Sequence, residues 1–256
     1  MTASTVAAIE HHAVVDRTSS SAKQVLMVVA NPSVATTLGW PVGFWAEELT
    51  HPYYEFTEAG YEVTIASPAG GRVELDPLSD PRDDSGWSAG DLISMGFLNT
   101  PELVALLDDT PRMADLDLGR FDAIVVCGGL SPMFTYRDNE DLKQAIVSFY
   151  EAEKPVAAFC HGTAALIDAK LSDGSYLIDG KTMTGFANVE EDYSDAYVGQ
   201  KVMPWRIEDA VRERGANYVH AGRFKPFAVR DGRLITGQQQ YSSRKVATLV
   251  IEALGT

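Results

Sequence analysis

The sequence predicts an α/β protein: a doubly wound, mostly parallel sheet flanked by helices. Three observations carry that expectation. Short, near-continuous apolar runs such as Gln24-Val-Leu-Met-Val-Val-Ala30 recur along the chain, and uninterrupted apolarity is what a strand buried on both faces requires. Amphipathic segments of helical length separate these runs, so the order is βαβ repeated. No internal repeat and no Pro/Ser-rich linker divides the body, which places residues 24–256 in a single domain and residues 1–23 in an N-terminal tail.

Each element follows from its own residues. Gln24–Ala30 is the first buried strand. Phe44–Ala59 is an amphipathic helix stopped by Gly60, and Tyr61–Ala66 is a second strand closed by Ser67-Pro68. Val73–Ser94, rich in Asp, Pro and Ser, reads as an excursion, with a helix following from Pro101 to Leu107. Phe121–Cys127 is a buried strand opening into Gly128-Gly129, and Asn139 caps a helix running to Glu153 with acidic residues in its first turn. Pro155–Phe159 is the next strand, running straight into Cys160-His161-Gly162 and a helix over Thr163–Ala169. A hairpin-like stretch is expected through Gly180-Lys181, then a helix over Trp205–Arg214. Strands around Phe227 and Leu234 flank Asp231-Gly232, and a helix over Ser242–Leu254 ends the chain. The tail itself carries a second possibility, a short amphipathic turn over Val6–Val15.

Composition excludes whole classes. Lys+Arg total 21 against 36 Asp+Glu, a formal charge of −15, and such a surface repels phosphate backbones and anionic lipid. Nucleic acid is not an expected partner. No apolar run approaches the length of a membrane span, and the tail lacks the basic start of a signal peptide, so a cytoplasmic protein is expected. Two cysteines, Cys127 and Cys160, are too few for a disulfide framework and suit a reducing compartment.

Ligands in such sheets bind past the carboxyl ends of the strands. Three of these ends carry chemistry. Ala158-Phe159-Cys160-His161-Gly162 places a cysteine between strand and helix, the layout of a nucleophile elbow, where a helix N-terminus favours a thiolate. His161 beside it is a candidate proton carrier. At the second end, the backbone N–H groups of Gly128 and Gly129 are candidate oxyanion donors, while Cys127 lies on the strand and reads as core. The third is the first helix, where Glu47 and Glu48 read as solvated surface on spacing alone, and a desolvated carboxyl among them would stay protonated beside a thiol. His51 and Glu55, four apart on the same helix, are two ligands and make no metal site. No metal, nucleotide or other cofactor is expected. Met133, Phe134, Tyr136, Phe186 and Trp205 are candidate linings of an apolar mouth.

These residues together resemble the DJ-1/PfpI superfamily, and within it the branch of heat-shock chaperones and glutathione-independent glyoxalases. The resemblance spans Gln24 to Leu254. It is carried by Gly43…Glu48…His51-Pro52, the Phe121–Gly129 strand and turn, Ala158-x-Cys160-His161-Gly162, Gly180-Lys181-x-x-Thr184-Gly185-Phe186, and Asp231-Gly232-Arg233-Leu234-Ile235-Thr236-Gly237. It implies a flavodoxin-like, class I glutamine amidotransferase-like fold with small cap insertions; the 73–94 excursion and the hairpin near Tyr176 are the candidate segments for a cap over the pocket. It also implies roles: Cys160 as nucleophile, His161 as its catalytic histidine, Glu48 as the acid contacting the thiolate, and Gly129 and His161 amides as oxyanion donors. Glu191 falls where the branch places the acidic member of a Cys-His-Asp/Glu triad, with Glu190 its rival; read from composition alone, 190–192 is a solvated acidic run. One departure stands out, Gly128-Gly129-Leu130-Ser131 where such proteins usually carry Gly-Gly-His-Gly. The activity implied is conversion of methylglyoxal or glyoxal to the 2-hydroxy acid by a homodimer. A stress holdase, or an amidase or peptidase using the same site, is the alternative.

Overall fold

Alternation along the central strands sorts the apolar side chains into two cores, and the fold follows from covering both. The computed structural model describes residues 22–255. Its strands are β1 (Gln24–Val28), β2 (Ser33–Ala35), β3 (Trp40–Val42), β4 (Glu62–Ala66), β5 (Ala123–Val126), β6 (Val156–Phe159), β7 (Thr182–Met183), β8 (Asn217–Tyr218), β9 (Ala228–Asp231) and β10 (Leu234–Gly237). The helices are α1 (Ala46–Glu58), α2 (Leu92–Leu98), α3 (Pro101–Asp108), α4 (Pro132–Thr135), α5 (Glu140–Glu151), α6 (Asn188–Val198), α7 (Ile207–Glu213) and α8 (Ser243–Leu254). The main sheet has the order β4-β1-β5-β6-β10-β9, parallel throughout except for the β10–β9 edge pair.

On one face Val25, Met27, Val125, Ala157 and Ile235 pack against α1 and α8 through Leu49, Phe56, Val246 and Val250. On the other, Leu26, Val28, Ile124, Val126, Val156 and Ala158 pack against α5 through Leu142, Ile146 and Phe149. Each of these fully buried large aliphatic side chains stabilises the fold by about 1.5–3 kcal/mol relative to exposure. Cys127 is wholly buried in the α1/α8 core, as expected of a strand residue.

Asn139 caps α5 by accepting from the Leu142 amide at 2.9 Å, as its sequence position predicts. Four local expectations are corrected. The 73–94 excursion closes with α2, whose start the Asp91 carboxylate caps by accepting from the Ser94 amide at 3.1 Å. A small β2–β3 pair, turning through residues 36–39, precedes α1. The helix after β6 begins at Cys160 rather than Thr163 and is a tight 3-10 helix, Cys160–Leu166. No hairpin forms at Gly180-Lys181: Lys170 and Tyr176 make an isolated antiparallel bridge, and β7 pairs in parallel with β8. The possible turn over Val6–Val15 lies outside the described residues. Among the described residues no helix is long and apolar enough to cross a membrane.

Candidate active site

The parallel strands β1, β5 and β6 end on the same edge, and the chain beyond β5 and β6 supplies the site. Phe159 is extended, and Cys160 turns at φ +54°, a left-handed conformation that costs a non-glycine residue about 1–3 kcal/mol. The Thr163 hydroxyl donates to the Cys160 carbonyl at 2.7 Å and holds the turn. The strained elbow lifts the thiol off the strand axis.

His161 Nδ1 lies 3.8 Å from Cys160 Sγ, and Nε2 lies 3.1 Å from Glu191 Oε1. Both residues are buried. Phe186 packs on the imidazole with ring centroids 4.3 Å apart, which fixes its plane between thiol and carboxyl. Glu190, the rival acid, faces elsewhere. Its Oε2 accepts from the Ala187 amide at 2.9 Å, and its Oε1 accepts from the Phe224 amide and from Gln238 Nε2, each at 2.8 Å. The acidic run is therefore no solvated face: α6 turns Glu190 and Glu191 inward, and both are buried.

Glu48 is also corrected from surface to interior, being fully buried beneath the thiol. Its Oε2 accepts from the Gly128 amide at 2.6 Å, while Oε1 has no nitrogen or oxygen partner and Cys160 is the side chain the carboxyl pairs with. Burial pushes Glu48 well above the usual carboxyl range, with the Cys160 and Gly128 contacts opposing. Burial likewise pushes the Cys160 thiol up, Glu48 adds to this, and the backbone N–H groups of His161 and Gly129 pull it back. Two such groups in one dry pocket disfavour a negative charge on both at once. With Glu48 protonated, the two amides and the carboxyl O–H are left to support a thiolate.

That arrangement removes Gly128 from the expected oxyanion donors, because its N–H is committed to Glu48. The Gly129 and His161 amides face the sulfur. Gly129 sits at φ +104°, and a Cβ there would lie 2.5 Å from the Trp45 nitrogen, so only glycine lets this turn press against the start of α1.

One residue of this shell escaped the sequence. Asp76 is fully buried and accepts from the Gly43 amide at 2.8 Å and the Leu130 amide at 2.6 Å, tying the Gly129 turn to the segment that leads into α1. Asp76-Pro77 inside an Asp-rich excursion looks like an ordinary turn, and nothing in its spacing marks it. Burial raises its pKa to about 7, with the two amides opposing. A carboxyl raised in the folded state binds more protons folded than unfolded, so its contribution to stability is greatest at low pH and declines as pH climbs from about 4 to about 7. Urea midpoints are expected to be lower at pH 8 than at pH 5, and Asp76→Asn is expected to flatten that slope; an unchanged slope in the variant would remove Asp76 from the account.

His51 Nε2 pairs with Asp91 at 2.8 Å and Glu47 lies 4.0 Å from Nδ1, whereas Glu55 binds Arg244 at 2.6 Å. The His51–Glu55 pair is thus not assembled. Of the expected mouth residues only Phe186 lines the cavity over Cys160; Met133 and Tyr136 are buried in the α5 core, and Phe134 and Trp205 pack against it. The excursion does roof the cavity, through Leu78 and Trp87, but the stretch near Tyr176 does not reach it.

Known proteins share this chain's layout. Glyoxalase 3 of Candida albicans is 29% identical over 230 residues, covering 84% of this chain and 91% of that protein. Glutathione-independent glyoxalase HSP31 of Saccharomyces cerevisiae is 28% identical over 239 residues, covering 91% and 98%. The crystal structure of glyoxalase III from Candida albicans superimposes with a TM-score of 0.76 at 27% identity, covering 90% of this chain and 97% of that one. The model of the DJ-1/PfpI family matches residues 40–253, a span that runs from β3 to α8 and contains Glu48, Gly129, Cys160, His161 and Glu191. The chain belongs to the DJ-1/PfpI family.

Proposed function

We propose that the protein is a glutathione-independent glyoxalase that converts methylglyoxal or glyoxal, with water, to the corresponding 2-hydroxy acid. The observation that carries the reading is the buried line Cys160–His161–Glu191 with two amides aimed at the sulfur, in a chain similar over most of its length to proteins named glyoxalases.

Cys160 thiolate attacks the aldehyde carbon, forming a C–S bond, and the oxyanion that results is held by the Gly129 and His161 amides. Protonation of that oxygen gives a hemithioacetal. His161 then removes the hydrogen from the former aldehyde carbon and returns a proton to the neighbouring carbon through an enediol. The first carbon is oxidised as the second is reduced, so neither oxidant nor reductant enters. Water attacks the thioester, the C–S bond breaks, and the hydroxy acid leaves with the thiolate restored. Glu48 steadies the thiol chemistry as a neutral acid, and Glu191 orients His161 and supports its cationic form.

A small reactive carbonyl is thus the ligand, with a homodimer in the cytoplasm as the setting; both cysteines are unpaired, which suits a reducing compartment. Incubation with methylglyoxal in the absence of glutathione is expected to consume the dicarbonyl and release an equal amount of lactate. If wild-type protein forms no lactate, the reading fails.

A further inference from the structure

The cavity over Cys160 is small, about 110 Å³, and its walls are mainly apolar. Trp45, Leu130, Phe186, Val198, Met203 and Phe224 are among its apolar lining residues. Trp87, from the excursion before α2, meets Tyr197 of α6 with ring centroids 5.5 Å apart, so two aromatic rings from opposite sides lie together at the rim. Three polar side chains of the lining are already engaged. His161 and Glu191 bond each other, and the Ser194 hydroxyl donates to the Glu190 carbonyl at 3.0 Å.

Among the described residues no lysine or arginine lines the cavity. Apart from Cys160, the Tyr193 and Tyr197 phenols and His161, which Glu191 engages, the ionisable groups at the cavity are acids, Glu191 in the wall with Glu48 and Asp76 buried behind it; Arg223 stacks on the Tyr193 ring, 4.6 Å from its centroid, without lining the cavity. The adjoining cavity, which shares Trp45 and Trp87, adds Glu47 and Asp91. A substrate carrying a carboxylate would surrender its hydration and meet no lysine or arginine among the described lining residues, His161 being already paired with Glu191. Glyoxal, with hydrogen as its second substituent's only bulk, would leave the aromatic and aliphatic wall unused.

Leu130 occupies the decisive position. Its amide is pinned by Asp76 at 2.6 Å, it directly follows the Gly129 amide that faces the sulfur, and its side chain forms part of the wall. It is half-buried, at the edge of the core beside α5.

We propose that this pocket selects 2-oxoaldehydes whose second substituent is uncharged and apolar, an aryl or branched alkyl group, and that Leu130 sets the preference. The proposal deepens the glyoxalase reading and rests on it for the dicarbonyl. The wall grips the substituent while the thiol and amides handle the aldehyde, so the gain falls on kcat/KM for the bulkier substrate.

The test compares kcat/KM for phenylglyoxal and glyoxal in wild type and in Leu130→Asn, a near-isosteric change that introduces polarity alone. Intrinsic reactivities cancel when the two phenylglyoxal-to-glyoxal ratios are divided. That quotient is expected to be about 10-fold or more, the scale on which an apolar subsite discriminates. A quotient near one overturns the assignment of Leu130, and a wild-type preference for glyoxal overturns the substrate class. A second arm needs no turnover: Cys160 is alkylated with iodoacetanilide or iodoacetate, each rate being divided by that reagent's rate with free glutathione. The neutral aryl reagent is expected to be favoured about 10-fold or more in wild type and less in Leu130→Asn. Equal or faster reaction with the anion overturns the pocket proposal. If no dicarbonyl is consumed, the glyoxalase reading fails and the alkylation arm alone decides what the pocket accepts.

Discussion

Cys160→Ala is expected to abolish lactate formation from methylglyoxal, lowering kcat/KM by about 10⁴-fold or more, because every bond-making step passes through the sulfur. The loss should be chemical rather than structural. Cys160 makes no ladder of its own beyond β6, and alanine keeps the Cβ that the φ +54° turn already accommodates. The Thr163 hydroxyl still finds the same carbonyl, and the Glu48–Gly128 bond is untouched. Removing the thiol takes one side-chain partner from the buried Glu48 while the Gly128 amide still holds its other oxygen, so thermal stability should change little. Cys127→Ala is the matched control. That thiol is wholly buried in the core beneath α1 and α8, away from the cavity, and its loss should cost about 1 kcal/mol of stability through the vacated volume while leaving kcat intact. Lactate formation retained in Cys160→Ala would sink the nucleophile assignment; retained in neither variant, it would point to a damaged fold.

The contrast between the two cysteines shows what a sequence of this kind discloses. Strand runs without polar interruption can only be buried on both faces, so β1, β5 and β6 were legible with nearly correct limits. The elbow was legible too, because a strand, a cysteine and small residues in succession leave the thiol few places to go. What escaped depended on neighbours distant in the chain. Glu190 and Glu191 look like solvent-facing charge until the Phe224 and Ala187 amides, Gln238 and His161 are brought to them by the fold. Asp76 is silent for the same reason: its partners, Gly43 and Leu130, lie on separate loops. The β2–β3 pair and α2 are short, and their Gly, Ser and Pro content gives propensity no purchase. Gly128 shows the reverse failure. A glycine pair after a strand advertises two free amides, and only the buried Glu48 oxygen reveals that one of them is spent.

Glu191→Gln and Glu190→Gln are expected to fail in opposite ways, and the difference rests on adjacent residues of one helix. At position 191 a glutamine keeps the shape and can still accept from His161 Nε2, now 3.1 Å from Oε1, but it removes the negative charge that favours the imidazolium formed when His161 takes a proton. We expect kcat to fall by about 10²-fold or more, with the unfolding midpoint nearly unchanged. At position 190 the carboxylate serves three donors with two oxygens, the Ala187 and Phe224 amides and Gln238 Nε2. A glutamine has one acceptor oxygen, and its NH2 group must turn toward at least one N–H, leaving buried donors unpaired at about 1–3 kcal/mol each. Glu190→Gln should therefore lower stability clearly while the folded fraction keeps most of its kcat. Both variants are read by the same pair of measurements, urea midpoint and steady-state kinetics with methylglyoxal. Should Glu190→Gln lose kcat at full stability while Glu191→Gln stays active, the triad acid is misassigned. The reason to expect otherwise is geometric: the Glu190 oxygens are bonded to the Ala187 and Phe224 amides and to Gln238, whereas Glu191 is the carboxyl that the His161 ring nitrogen meets.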